Sequence, residues 1–254
     1  MFTPSHPTIY DSIGNNYHQY RQPDHRIYQA IRDALGSAKT VCNIGAGAGS
    51  YEPTDLEVTA VEPSEEMIRQ RINDSKVVKT TAENLPFGDQ SFDASMAVLT
   101  IHHWLDVETG LREMQRVASR QVIFTFDPDV AFDFWLVRDY FPNIVELDKK
   151  RSVPLAIIED VLNIQSILTV PVPFDCTDGF LAAYWKRPEF YLDPKVRNSI
   201  STFAQLPSAL VNEGVKRLAD DLASGAWQQR YSHFDGLHEC DFGYRLVIAE
   251  SKAT

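Results

Sequence analysis

"VCNIGAGAGS", residues 41–50, opens as an apolar strand at Val41 and then places glycine at every second position, Gly45, Gly47 and Gly49. A chain that gives up side chains so often lets something approach its backbone. Three readings compete. One is a tight strand-to-helix turn with no ligand. The second is the dinucleotide fingerprint GxGxxG, in which Gly45 and Gly47 fit but Ser50 stands where the third glycine belongs; no Gly-Lys-Ser/Thr follows, so a phosphate loop fails too. The third is a nucleoside site that holds no pyrophosphate. Glu62 argues for it: it ends the next strand, "LEVTAVEP", 17 residues after Gly45. A carboxylate there can accept hydrogen bonds from both hydroxyls of a ribose.

Outward from this turn the first half alternates helix and strand. "DHRIYQAIRDALG" predicts a helix capped by Asp24, with Ile27, Ala30, Ile31 and Leu35 on one face and Gly36 at its stop. Ser64 caps the next, with Glu65 and Glu66 in its first turn and Arg69 and Arg71 near its end. "KVVKTT", "SFDASMAVL" and "QVIFTF" read as strands, and "DVETGLREMQRVA" as a helix with Leu111, Met114 and Val117 in a stripe. Such alternation predicts βαβ units, hence an α/β fold, Rossmann-like, with a seven-stranded mostly parallel sheet and helices on both faces. Ligands of such sheets sit beyond the carboxyl ends of the strands.

After Pro128 the pattern changes. Aromatics become dense, "ILTVPVPF" reads as a sixth strand, "PKVRNSISTFAQL" and "SALVNEGVKRLADDLASG" as helices, and "GYRLVIAES" as the last strand. This predicts a helical insertion near the C-terminal strands. Most aromatics are packing residues; Trp135, Tyr140, Tyr184, Trp185 and Tyr191 are candidates to line a substrate face.

The motifs "NIGAGAGS", "AVEPSEEM", "AENLPFGDQSFD" and "LREMQRVA", in this order over about residues 8–128, resemble the class I S-adenosylmethionine-dependent methyltransferases, especially the group with the ubiquinone and menaquinone biosynthesis enzymes. The resemblance implies S-adenosyl-L-methionine as cofactor. Gly45, Ala46 and Gly47 would meet its amino-acid part, and Glu62 with neighbouring Pro63 its ribose. Ala82, Glu83 and Asn84 would lie by the adenine, and Ala97, Val98 and His102 near the sulfonium. "YHQYR" matches the family's N-terminal lid helix, with Tyr20 and Arg21 over the cofactor. It implies one methyltransferase domain over 1–254: lid 1–23, cofactor core 24–128, substrate-side insertion 129–240, last strand 241–254. Two departures stand out. Asn43 replaces the usual Asp, and the Pro-Gly-Gly turn before the fifth strand is missing from "RVASRQVIF".

Methyl transfer needs little from the protein beyond alignment and exclusion of water, with a base only for a protonated acceptor. His102 and His103 are candidate bases, though a histidine after a strand often serves packing; Asp127 can orient an acceptor or cap a turn. His233 and His238 are weaker candidates. A net charge of −11, with no basic run beyond Lys149, Lys150 and Arg151, argues against a nucleic-acid partner. No apolar stretch has the length of a membrane span and no signal peptide opens the chain. Three scattered cysteines, Cys42, Cys176 and Cys240, fit a reducing, cytoplasmic setting without disulfides or a metal site. The function expected is methyl transfer to a small molecule. Alternatives are an RNA or protein methyltransferase, a cofactor-binding protein without turnover, and arsenite methylation through the cysteines.

Overall fold

The computed structural model describes residues 21–251, which form two units. The first comprises Pro23–Pro128, Ser152–Val170 and the C-terminal strand from Gly243. Its sheet has strands β1 (Thr40–Ile44), β2 (Glu57–Val61), β3 (Lys76–Val78), β4 (Phe92–Val98), β5 (Ala118–Phe126), β6 (Ile164–Thr169) and β7 (Tyr244–Glu250). Their order is β3-β2-β1-β4-β5-β7-β6. The first five run parallel, and β7 is antiparallel to both β5 and β6. This is the expected seven-stranded, mostly parallel sheet. Strand order reverses between β1 and β4, so the crevice of the fold opens past their carboxyl ends.

Local sequence explains the helices. Asp24 caps α1 (His25–Ala34) by accepting from the Arg26 N–H at 3.0 Å, and Ile27, Ile31 and Ala34 face inward. Ser64 caps α2 (Glu65–Arg69) by accepting from the Met67 N–H at 3.3 Å. Asp106 caps α3 (Val107–Val117), accepting from the Thr109 N–H at 3.1 Å. Leu111, Met114 and Val117 of α3 are fully buried with Cys42, Ile44, Ala97 and Ile123 of the sheet. Val117 passes directly into β5 at Ala118, so no turn is needed where the Pro-Gly-Gly is missing.

Two boundaries differ from the sequence reading. α2 stops at Arg69, leaving Arg71 beyond the helix rather than in its last turn. "ILTVPVPF" divides between two sheets: β6 ends at Thr169, and Val172–Pro173 pairs instead with Glu239–Cys240 in a two-stranded ribbon. The intervening Val170 N–H is taken by Tyr244 O.

The second unit comprises Asp129–Arg151 and Pro171–Phe242, with Arg21 and Gln22. Its longest helix, Ser208–Ser224, ends at Gly225, whose φ of +79° is the left-handed conformation that suits glycine. Its core is aromatic. The Trp135 indole N–H donates to Trp185 O at 3.0 Å, and its ring centroid lies 5.3 Å from those of Phe134 and Trp227. Trp185 donates in turn to Val172 O at 3.0 Å, and the Tyr191 hydroxyl donates to Leu181 O at 2.7 Å. Trp135, Tyr140, Tyr184, Trp185 and Tyr191, singled out above as a substrate lining, are all buried within this unit. The polar tips of Trp135, Trp185 and Tyr191 donate to backbone carbonyls of the unit itself, and the Tyr140 hydroxyl donates to Asp221 at 2.6 Å. Their bulk and their hydrogen bonds are spent on packing.

Trp135→Ala therefore empties the centre of that cluster. We expect a loss of about 3–5 kcal/mol in urea unfolding followed by circular dichroism. A loss near zero would mean that the ring is not the packing hub.

Candidate functional site

The turn after β1 is held by backbone alone at its entrance: Gly45 and Ala46 N–H both donate to Val61 O at 2.9 Å. Gly45 has a φ of +69°, and a Cβ there would lie 2.1 Å from Thr100 Oγ1. No side chain fits, because the segment after β4 lies directly against it. Gly47 has a φ of +52°, and Gly45, Ala46 and Gly47 all remain partly exposed. They therefore offer backbone to an incoming group.

Glu62 follows β2 and is 6% exposed. Its Oε2 accepts from the Gly47 N–H at 2.8 Å and its Oε1 from the Ser64 N–H at 2.9 Å. One carboxylate thus fixes both the turn after β1 and the entry to α2. A carboxylate has about four acceptor positions, and these two donors set which way the group faces. Pro63, next in sequence, is exposed.

The segment after β4 completes the crevice. Leu99 has a φ of +48°, which costs a branched residue about 1 kcal/mol or more; its N–H donates to Phe124 O at 2.7 Å. This bend turns the chain across Gly45 and into a short helical turn, Ile101–His103. The rings of His102 and His103 lie 4.0 Å apart, and His102 meets the edge of Phe126 at 5.4 Å, one residue before Asp127. The Asp127 N–H donates to Gly243 O at 2.7 Å. Ala97 is wholly buried in β4, and Val98 is half-buried at its end. Ala82 is buried, and Asn84 is exposed. The Glu83 carboxylate accepts from Leu105 and Asp106 N–H at 2.8 and 3.2 Å, so it braces the segment after β4.

Thus the crevice end of one sheet brings together Gly45, Ala46, Gly47, Glu62, Val98, His102, His103 and Asp127. Other candidates fall elsewhere. Tyr20 lies outside the described residues. Arg21 belongs to the second unit, where its guanidinium Nε donates to the buried Asp178 carboxylate at 2.5 Å. His233 and His238 also belong to that unit. Burial pushes the Cys42 thiol up to about 12, which removes it from thiolate chemistry near neutral pH. Among the described residues no group of three His, Cys, Asp or Glu side chains is placed to hold a metal ion. None of the described helices is long and apolar enough to cross a membrane.

Sequence reasoning gave Thr100, Met67, Glu52 and Arg71 no role at this site. Thr100 covers Gly45, and the Met67 methyl lies 3.4 Å from where a Gly47 Cβ would be. A glycine shows in sequence that something is close; it does not show which residue that is.

The family model described as "Methyltransferase domain" matches residues 41–126, the stretch that runs from the glycine turn to the end of β5. The crystal structure of a protein from Anabaena variabilis, provisionally named a methyltransferase from an antibiotic biosynthesis pathway, is 35% identical. It superposes with a TM-score of 0.84 over 92% of this chain and 100% of its own. The uncharacterized methyltransferase YcgJ of Bacillus subtilis is 34% identical over 32% of this chain and 36% of its own length. The demethylmenaquinone methyltransferase of Thermotoga maritima is 35% identical over 26% of this chain and 30% of its own length. The chain thus spans about a third of the length of these two curated relatives.

Gly45→Ala meets both a left-handed backbone and the Thr100 hydroxyl. We expect it to lower the melting temperature by several degrees. Pairing it with Thr100→Ala should restore only the part due to the clash. Full recovery in the double variant would show that the backbone conformation costs nothing.

Proposed function

The chain belongs to the class I S-adenosylmethionine-dependent methyltransferases, and we propose that it transfers the cofactor's methyl group to a small-molecule acceptor. The observation that carries the reading is the Glu62 carboxylate, buried at the end of β2 and fixed by Gly47 and Ser64 N–H groups. A ribose presents two adjacent hydroxyl donors, and an oriented carboxylate is the acceptor that suits them. The residues present fit the cofactor. An oriented carboxylate at this strand end suits a ribose, and partly exposed backbone at Gly45, Ala46 and Gly47 suits the amino-acid tail.

In this reading Gly45, Ala46 and Gly47 hold the amino-acid part of the cofactor, and Glu62 and Pro63 its ribose. Ala82, Glu83 and Asn84 flank the adenine, and Ala97, Val98 and His102 border the sulfonium. Arg21 and Tyr20 are proposed to cover it; Arg21 would have to share its guanidinium with Asp178 to do so. The bound cofactor supplies a methyl on positively charged sulfur, ready for in-line displacement. The protein's part is to hold the acceptor in line and keep water out. Where the acceptor arrives protonated, His102 or His103 takes its proton, and Asp127 orients it.

A small-molecule acceptor is supported by the names of two relatives, one placed in antibiotic biosynthesis and one acting on demethylmenaquinone. A net charge of −11 disfavours a nucleic-acid substrate, and we propose action away from the membrane, in the cytoplasm.

Glu62→Ala removes charged hydrogen bonds worth about 1.5–3 kcal/mol each, so calorimetric titration with S-adenosylhomocysteine should show affinity reduced by about tenfold or more. Wild-type affinity in that variant would place the ribose elsewhere. Incubation with labelled cofactor and a metabolite extract should yield a product heavier by one CH2 unit. Tight cofactor binding with no methylated product would point to a protein without turnover. If one histidine is the base, replacing it with alanine should slow turnover by about 10²-fold; full turnover in both His102→Ala and His103→Ala would remove both from that role.

A further inference from the structure

Beneath the glycine turn lies a buried ion pair that neither the family motifs nor the cofactor reading uses. Glu52 and Arg71 side chains are each 3% exposed, and Arg71 Nη2 donates to Glu52 Oε2 at 2.6 Å and to Oε1 at 2.7 Å. Glu52 is saturated: Asn73 Nδ2 donates to Oε2 at 2.6 Å, Ser75 Oγ at 3.0 Å, and Asn43 Nδ2 donates to Oε1 at 3.0 Å. The other arm of the guanidinium, Nη1, donates to Gly47 O at 3.1 Å. Gly47 is therefore gripped from two sides, its N–H by Glu62 and its carbonyl by Arg71. Gly49 has a φ of +87°, and a Cβ there would stand 2.6 Å from Asn73 Nδ2, so the third glycine lets this network pack against the turn.

We propose that Glu52 and Arg71 are positioning residues of the cofactor turn, and that the Glu52 carboxylate requires an uncharged hydrogen-bond donor at position 43. The inference rests on the reading of this turn as the cofactor site. The constraint on position 43 is electrostatic. Asn43 is 4% exposed and donates its amide to Glu52. An aspartate at 43 would instead set two carboxylates about one hydrogen bond apart in a site with a single guanidinium. Like charges so close disfavour joint ionisation. With Glu at 52, position 43 must supply a donor, and Asn is the aspartate isostere that has one. Arginine is required at 71 because only its fork reaches a carboxylate and a carbonyl at once.

The experiment is a charge swap read by binding. Calorimetric titration with S-adenosylhomocysteine is run on the wild type, Asn43→Asp, Glu52→Gln, the double variant and Arg71→Lys, each checked for folding by circular dichroism and melting temperature. Asn43→Asp and Glu52→Gln should each bind about tenfold more weakly or worse. The double variant again sets one carboxylate and one amide against Arg71, and should return to within about threefold of wild type. Arg71→Lys keeps the charge and loses the fork, so it should stay folded and bind about tenfold more weakly. Single variants that melt earlier but bind like wild type would leave the network a purely structural role and overturn the proposal. So would a double variant whose loss is the sum of the two singles. A wild type that binds no S-adenosylhomocysteine would overturn the cofactor reading itself, an outcome distinct from failed rescue.

Discussion

A carboxylate that accepts one N–H on each oxygen, Gly47 on one and Ser64 on the other, ties two neighbouring strand ends into one object. Without Glu62 the turn after β1 keeps its N–H contacts to Val61 O but loses the carboxylate that joins it to the Ser64 cap of α2. With it, the position of the acidic group, the opening of the turn and the cap of α2 are set together. A ligand meeting this carboxylate meets the turn in the same geometry, and reorganisation on binding is correspondingly small.

The interior under this site gathers its buried polar groups around the Glu52 carboxylate. Asn43 sits in the middle of a strand whose neighbours are fully buried, a place where an unpaired amide would cost about 1–3 kcal/mol; Glu52 takes its N–H. Breaking a buried ion pair such as Glu52–Arg71 by removing one partner costs about 3–5 kcal/mol, so the pair constrains the turn strongly whatever its net worth to folding. The crevice is closed on its other side by strained backbone at Leu99, which steers Thr100 over Gly45. Strain at the end of a central strand is tolerated because β4 pairs with both β1 and β5.

The second unit follows a different plan. Its helices are mostly one or two turns long, too short to be stable by propensity. Interlocked rings hold them instead. Trp135 packs edge-on against Phe134, Tyr140, Tyr191 and Trp227, and several of the polar tips are tied to backbone carbonyls. Aromatic density in this stretch thus reports how a loop-rich unit stays folded.

Sequence by itself determined what depends on near neighbours in the chain. The caps Asp24, Ser64 and Asp106 and the stripe of α3 are set within a few residues of where they act, and the strand–helix alternation and the bare turn with its carboxylate one strand on are patterns read along the chain. The candidate histidines were legible because they follow a strand at the crevice end of the sheet. What only the tertiary structure decided are the pairings across long separations. Arg71 reads as a helix-end charge until it is seen turned inward to Glu52, and only the fold shows that the Glu83 carboxylate also braces Leu105 and Asp106. Five aromatics read as a lining until their burial makes them core. The reason is physical: backbone periodicity and capping are local energies written in adjacent residues, whereas the partner of a buried charge or ring is chosen by which distant surfaces the fold brings into contact.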